Sequence, residues 1–75
     1  MLTLDQLRIG EKGRILDVAG EPALVQRLLE MGLLEGEIVQ VLALAPLGDP
    51  IEISFGNSRI SLRRREAAGI HVERV

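Results

Sequence analysis

Apolar residues recur along this chain in short runs that are separated by glycine, proline and acidic residues. Alternating or continuous runs predict five strands, at residues 14–18, 38–44, 51–55, 58–62 and 70–73. The run at 38–44 is nearly all apolar, which predicts a central strand buried on much of both faces. Gly56-Asn57 between the third and fourth runs predicts a two-residue hairpin.

One stretch follows a helical period instead. Leu24, Val25, Leu28, Leu29 and Met31 recur at the spacing of one helix face. Pro22 suits the first helical turn, and Gly32 is placed to end the helix in a left-handed conformation. Residues 63–69 predict a single further helical turn that Gly69 ends. Near the N-terminus, Leu4, Leu7 and Ile9 predict a turn laid over the core before the first strand.

These elements predict the fold class. Strands this short leave exposed edges, and curling the sheet into a small barrel removes most of them. A parallel sheet would need a long crossover between every pair of strands, and only one is present. We therefore expect a mainly β protein: one domain over residues 1–75, forming a small SH3-like antiparallel barrel of about five short strands. One helix lies between the first two strands, and a short helical turn precedes the last.

The loop at residues 45–50 is the most distinctive connection. Pro46 and Pro50 each fix their own φ and favour extended geometry in the preceding residue, while Gly48-Asp49 is expected to supply the tight turn. Leu47 then sits on a rigid tip. It either folds back over the end of the barrel or faces a partner, and the sequence leaves both open.

Composition narrows the function classes. The chain has 75 residues, 47% of them hydrophobic, with one phenylalanine and no cysteine, so the core is aliphatic and no disulfide is available. A net charge of −2 disfavours binding to a phosphate backbone. Met1–Gly10 lacks a basic start followed by an apolar run, and no run of eighteen apolar residues occurs, so we expect neither export nor a membrane span.

The sequence contains no recognisable catalytic motif. The only imidazole, His71, lies in an ordinary alternating strand, and no nucleophile, carboxylate pair or phosphate loop has a recognisable pattern. We expect no enzyme activity and no cofactor. His71 and Glu73 share a strand face and could hold an ion weakly, but two ligands are too few, and a solvated pair is the simpler interpretation.

A small number of positions are candidates for binding a partner protein. Arg63, Arg64 and Arg65 form the one concentrated charge. In one interpretation the three side chains bind an acidic surface of a partner. In the other, one covers apolar surface with its aliphatic part, one pairs with Glu66 or a nearby acid, and one remains solvated. Met31, Leu33 and Leu34 could line a groove beside the loop, although the helical spacing favours core positions.

The motifs together resemble the FeoA family. They comprise the segments 27–33, Gly36-Glu37, 45–51, Leu62-Arg63, Glu66-Ala67 and 70–72, and the opening at 4–10 also fits. The resemblance implies an SH3-like barrel and a small cytoplasmic protein that works with the FeoB ferrous iron permease and its GTP-binding domain. FeoA-like domains also occur in iron-dependent repressors, but their DNA-binding part is not matched here.

Residues and resemblance together predict a binding module. The expected partner-binding residues are Met31, Pro46, Leu47, Pro50, Arg63, Arg64 and Arg65, which would dock on a cytosolic part of the transporter and bias its state. The sequence leaves an iron-linked or divalent-metal-linked sensor around His71 as the alternative. A nucleic-acid-binding barrel and self-association through a strand edge or the apolar loop are less favoured.

Overall fold

A computed structural model describes residues 2–75; Met1, which begins the predicted domain, lies outside the described residues. The elements are β1 (Lys12–Val18), α1 (Pro22–Glu30), β2 (Ile38–Leu44), β3 (Ile51–Phe55), β4 (Ser58–Leu62), α2 (Arg64–Ala67) and β5 (Ile70–Arg74). All strand pairs are antiparallel, in the order β4-β3-β2-β1-β5. The predicted fold class is confirmed, with α1 between the first two strands and α2 before the last.

Local features of the sheet explain its hairpin and its bulges. The hairpin between β3 and β4 closes through two residues, with Phe55 opposite Ser58 and Gly56 at a φ of +56°. The pairing register shifts between Ile15 and Asp17 in β1 and again between Val41 and Ala43 in β2. Each shift leaves an extra residue that bends its strand and increases the local twist, which favours a curled sheet.

The core lies on one face of this sheet. Its fully buried side chains come from every strand and from both helices, and include Ile15, Val39, Val41, Ile53 and Val72. β2 is the central strand, as predicted, but the prediction that it is buried on much of both faces is wrong, because Ile38 and Leu44 at its ends are exposed and Gln40 and Leu42 are only half-buried.

The end of α1 reverses the chain sharply. Gly32 adopts a φ of +101°, and the Gly32 and Leu33 amides donate to the Leu29 and Leu28 carbonyls at 3.0 Å, so the predicted glycine cap is confirmed. The reversal sends Leu33 into the core but leaves Met31 and Leu34 exposed. The preference for core positions is therefore correct for Leu33 and wrong for the other two.

The N-terminal turn covers one edge of the sheet. Leu4 and Leu7 are buried, and the Val72 amide donates to the Leu2 carbonyl at 3.0 Å. Ile9, which was expected in the same turn over the core, is 59% exposed because the chain has already turned outward before Gly10. Neither helix described in residues 2–75 is long and apolar enough to cross a membrane.

Candidate docking surface

Leu47 stands at the tip of the loop between β2 and β3. Its side chain is fully exposed, at 105% of the reference area, so the alternative in which it folds back over the barrel is excluded. Its backbone has a φ of 70° and a ψ of 10°, the left-handed region that a leucine rarely adopts. This conformation costs about 1–2 kcal/mol, so surrounding contacts must hold it in place.

The turn of this loop lies one residue earlier than the sequence indicated. The Gly48 amide donates to the Ala45 carbonyl at 2.8 Å and closes a turn over Pro46 and Leu47, with positive φ at Leu47 and Gly48, whereas Asp49 is extended. Pro50 disfavours helical geometry in the residue before it, which moves the turning residues back along the chain. The prediction that Gly48-Asp49 supplies the turn is thus wrong at Asp49, while the extended geometry before both prolines is confirmed.

Arg64 ties this loop to the body of the protein. Its Nε donates to the Gly48 carbonyl at 3.1 Å, and its Nη1 donates to the Asp5 carbonyl at 2.8 Å. Its backbone N–H donates to Asp49 Oδ1 at 2.9 Å. One half-buried arginine therefore joins the loop, α2 and the N-terminal turn, and its planar fork suits such a bridge.

The three consecutive arginines have three different surroundings. Arg63 lines a cleft with Arg27, Pro50, Ser61 and Glu66. Arg64 points inward, and Arg65 lines a second cleft beside Glu21 and Leu24 on the other side of Glu66. The run is not one cationic patch, because successive residues at a helix start point in different directions.

Glu66 joins α2 to α1 between these two clefts. Its Oε1 accepts the backbone N–H of Arg63 at 2.9 Å, and its Oε2 lies 3.5 Å from Arg27 Nη2. The interpretation in which one of the three consecutive arginines pairs with Glu66 or a nearby acid is wrong, because no ion pair of residues 2–75 includes any of their side chains. The Glu66 carboxylate instead caps the start of α2 and pairs with the helix that packs beside it.

Met31 lies apart from Leu47, directly after the end of α1. It is 40% exposed and one helical turn beyond Arg27, so the two side chains share a face of the helix. A Cβ placed on the neighbouring Gly32 would lie 3.8 Å from Phe55 Cε2, at the end of β3 away from the loop. Met31 therefore shares the Arg27 side of α1 and does not flank the loop.

His71 and Glu73, the weak candidate metal ligands, have separate partners. His71 Nδ1 contacts a carboxylate oxygen of Asp17 on the adjacent strand, and Glu73 Oε1 accepts from Arg14 Nη1 at 2.7 Å. Both pairs cross the β1–β5 ladder. Among residues 2–75, no group of three or more His, Cys, Asp and Glu side chains is placed to hold a metal ion.

A curled five-stranded antiparallel sheet with one helix between β1 and β2 defines a small SH3-like β protein, here with a braced loop and an adjacent arginine-lined cleft. The FeoA domain matches residues 2–74. The chain belongs to the FeoA family, which is associated with ferrous iron transport.

Individual relatives agree with this assignment. The chain is 38% identical over 72 residues to an Fe(2+) transport protein A/FeoB fusion protein of Porphyromonas gingivalis, covering 96% of this chain but only 8% of that relative. The solution structure of FeoA from Chlorobium tepidum superimposes with a TM-score of 0.94 at 40% identity, covering 99% of this chain and 70% of that one.

A zinc complex of Stenotrophomonas maltophilia FeoA, described as a prokaryotic SH3 domain protein, superimposes with a TM-score of 0.86 at 30% identity. It covers 97% of this chain and 91% of that one. The SH3-like fold expected from the sequence is thereby confirmed, as is the resemblance to the FeoA family.

Proposed function

We propose that this chain is a non-catalytic, cytoplasmic accessory domain of ferrous iron uptake that binds a FeoB-type permease through protein contact and alters its activity. The observation that carries the proposal is Leu47, a fully exposed leucine held at a positive φ by a loop that Arg64 braces. Backbone strain that the surroundings maintain is characteristic of functional positions.

Two properties of relatives support this partner. In the Porphyromonas gingivalis protein a FeoA portion is joined to FeoB in one chain, which places the two beside each other at high effective concentration. The Stenotrophomonas maltophilia FeoA has been suggested to act as an activating factor for ferrous iron transport. A separate FeoA chain would achieve the same proximity through a docking surface.

The rigidity of the loop at residues 45–50 lowers the conformational entropy that is lost on binding. A rigid apolar side chain loses little conformational entropy when it enters a pocket on a partner, and a buried leucine contributes about 1.5–3 kcal/mol. Pro46 and Pro50 restrict the loop on both sides of Leu47, and Pro50 also borders the arginine-lined cleft. Arg63 lines the same cleft, Arg64 positions the loop, and Met31, which lies apart from the loop, shares a helix face with Arg27.

The test compares two polar substitutions at exposed apolar residues. Leu47→Asn preserves side-chain size and tolerates a positive φ, whereas Ile9→Asn makes the same chemical change in the N-terminal turn. Binding to the cytosolic domain of a FeoB-type transporter is measured by amide chemical-shift titration. We expect Leu47→Asn to weaken affinity by about 10-fold or more, and Ile9→Asn by less than about 2-fold.

Each outcome has a distinct meaning. Equal affinities for Leu47→Asn and the unsubstituted chain would remove the loop from the docking surface, and no binding by the unsubstituted chain would contradict the proposed partner. The GTP hydrolysis rate of the transporter, with and without this chain, tests modulation. A parallel titration with ferrous iron alone addresses the metal-linked alternative, for which shifts should centre on His71 and Asp17.

A further inference from the structure

A cleft of about 360 Å³ opens between α1, the end of β4 and the start of α2. Arg27 lines it from the helix, Ser61 and Arg63 from the strand end, and Pro50 from the base of the loop, with Glu66 between the two arginines. Arginines from two separate elements therefore line one concave surface. We call it the arginine cleft.

The charge of the arginine cleft is unbalanced. Glu66 supplies one carboxylate against two guanidinium groups, and both of its oxygens already have partners, the Arg63 amide at 2.9 Å and Arg27 Nη2 at 3.5 Å. Within residues 2–75 the Arg63 side chain takes part in no ion pair. A chain with a net charge of −2 thus keeps a local positive excess here, which attracts a carboxylate.

The edge of β4 adds backbone groups to the cleft. Phe55 and Ser58 flank a two-residue hairpin and exchange backbone hydrogen bonds, so the alternate residues Arg59 and Ser61 direct their N–H and C=O groups away from β3. The sheet ends at β4, and no other backbone hydrogen bond of the described chain reaches these groups. A peptide can use such an edge, whereas a simple ion cannot.

We propose that the arginine cleft receives an extended acidic segment of a partner protein, which pairs with the backbone of Ser61 and places a carboxylate between Arg27 and Arg63. The inference rests on the proposed function and specifies its chemistry: the segment belongs to the transporter and is acidic. Guanidinium groups hold a carboxylate in two parallel hydrogen bonds, while strand pairing supplies main-chain affinity.

Three capped hexapeptides test the charge requirement. Glutamate alternating with valine places all carboxylates on one side of an extended chain, and the matched peptides carry glutamine or lysine at those positions. In amide chemical-shift titrations, the glutamate peptide should shift Arg59, Ser61 and Arg63 and bind at least about 10-fold more tightly than the glutamine peptide. No shift with millimolar glutamate peptide, or equal shifts with the lysine peptide, would overturn the proposal.

Substitutions separate the side-chain and backbone contributions. Arg27→Gln and Arg63→Gln should each weaken binding of the glutamate peptide about 5–10-fold, whereas Arg8→Gln, an equal charge change outside the cleft, should leave it within about 2-fold.

Ser61→Pro removes the outward N–H without removing a bond to β3, and Ser61→Ala retains it. Loss of affinity with proline but not alanine supports strand pairing; equal affinities refute it. Thermal unfolding of each variant establishes that it is folded.

Failure of this inference can be told apart from failure of the proposed function. If Arg27→Gln and Arg63→Gln leave affinity for the cytosolic domain of the FeoB-type transporter unchanged while Leu47→Asn weakens it, the docking function stands and the acidic segment is refuted. If the unsubstituted chain does not bind that domain but does bind the glutamate peptide, the cleft stands and its assignment to the transporter fails.

Discussion

Leu47 combines two unfavourable features at one residue: its side chain is in water, and its backbone is left-handed. Neither contributes to folding of this domain, because the core is complete without it. A glycine at this position would adopt the same φ without the Cβ clash that leucine suffers. Stability and binding therefore place opposite demands on this residue.

Leu47→Gly should raise the free energy of unfolding by up to about 1 kcal/mol, since relief of left-handed strain exceeds the added chain entropy of glycine. The same variant should bind the transporter domain about 10-fold or more weakly, because the apolar side chain is gone. Urea unfolding and the amide titration measure the two effects. A loss of stability with unchanged binding would contradict both parts of this expectation.

Gly69 is required for a different reason, which is close approach. A Cβ at this position would lie 2.2 Å from the Ala19 carbonyl oxygen, on backbone that cannot yield easily. The Ala19 amide also donates to the Gly69 carbonyl at 2.8 Å, so the two segments are joined at this contact. A side chain on Gly69 would separate the start of β5 from the end of β1.

Gly69→Ala should lower the free energy of unfolding by about 2–4 kcal/mol through this clash. For a domain of this size, such a loss lowers the melting temperature by roughly 10–25 °C. Gly10→Ala is the control, because Gly10 has a positive φ but open space around it, and it should cost only about 1 kcal/mol. Similar melting temperatures for the two variants would argue against the close contact.

At the scale of elements, the loop and α2 behave as one unit. Arg64 links Gly48 in the loop to Asp5 in the N-terminal turn, and its amide is bonded to Asp49. The short helix α2 is in turn attached to α1 through Glu66 and Arg27. Movement of the loop that carries Leu47 is thus coupled to the position of Arg63 in the arginine cleft.

Arg64→Lys should loosen this unit while keeping its charge. Lysine cannot reach two carbonyls with a planar fork, so loss of one charged hydrogen bond should cost about 1.5–3 kcal/mol. Amide exchange at Gly48 should become faster, and binding that depends on Leu47 should weaken without loss of a contact residue. Arg65→Lys provides the comparison and should change neither; equal effects of the two variants would show that Arg64 does not brace the loop.

Across the fold as a whole, the pairing of β1 with β5 brings the segment before β1 next to the last residues of the chain. Glu11 accepts the Arg8 amide at 2.7 Å and pairs with Arg74 Nε at 3.1 Å, and the Val75 amide donates to the Lys12 carbonyl at 3.2 Å. The hydrogen bond from the Arg8 backbone, followed by that from the Arg74 side chain, lowers the pKa of Glu11 from its ordinary value of 4.5.

This lowered pKa links stability to acid pH. A carboxyl whose folded pKa lies below its unfolded value stabilises the fold above the unfolded pKa and loses that contribution as pH falls through the folded one. The melting temperature should therefore drop below about pH 4.5 more steeply in the unsubstituted chain than in Glu11→Gln. Glu35→Gln, an exposed control, should retain the steep drop; parallel curves for Glu11→Gln and the unsubstituted chain would contradict the linkage.

The sequence determined the elements and their types, because hydrophobic period, glycine and proline act over a few residues. The bounds of β2, β3 and β4 agree with the predicted runs, and the helix cap at Gly32 and the hairpin turn at Gly56 follow from φ values that glycine adopts without strain. The family resemblance was also visible in the sequence, because it depends on the order of short motifs. Exposure of Leu47 was left as one of two alternatives.

Which residues come into contact follows from the folded arrangement of the elements. Sequence period could not distinguish Leu33 from Met31, because the glycine reversal sends adjacent apolar residues to opposite sides. Nor could it reveal that Arg27 and Arg63, 36 positions apart, face one cleft, or that Arg64 is used to brace the loop. Contacts between residues far apart in the sequence depend on how the helices and strands pack against one another. A local pattern of residues does not specify that packing.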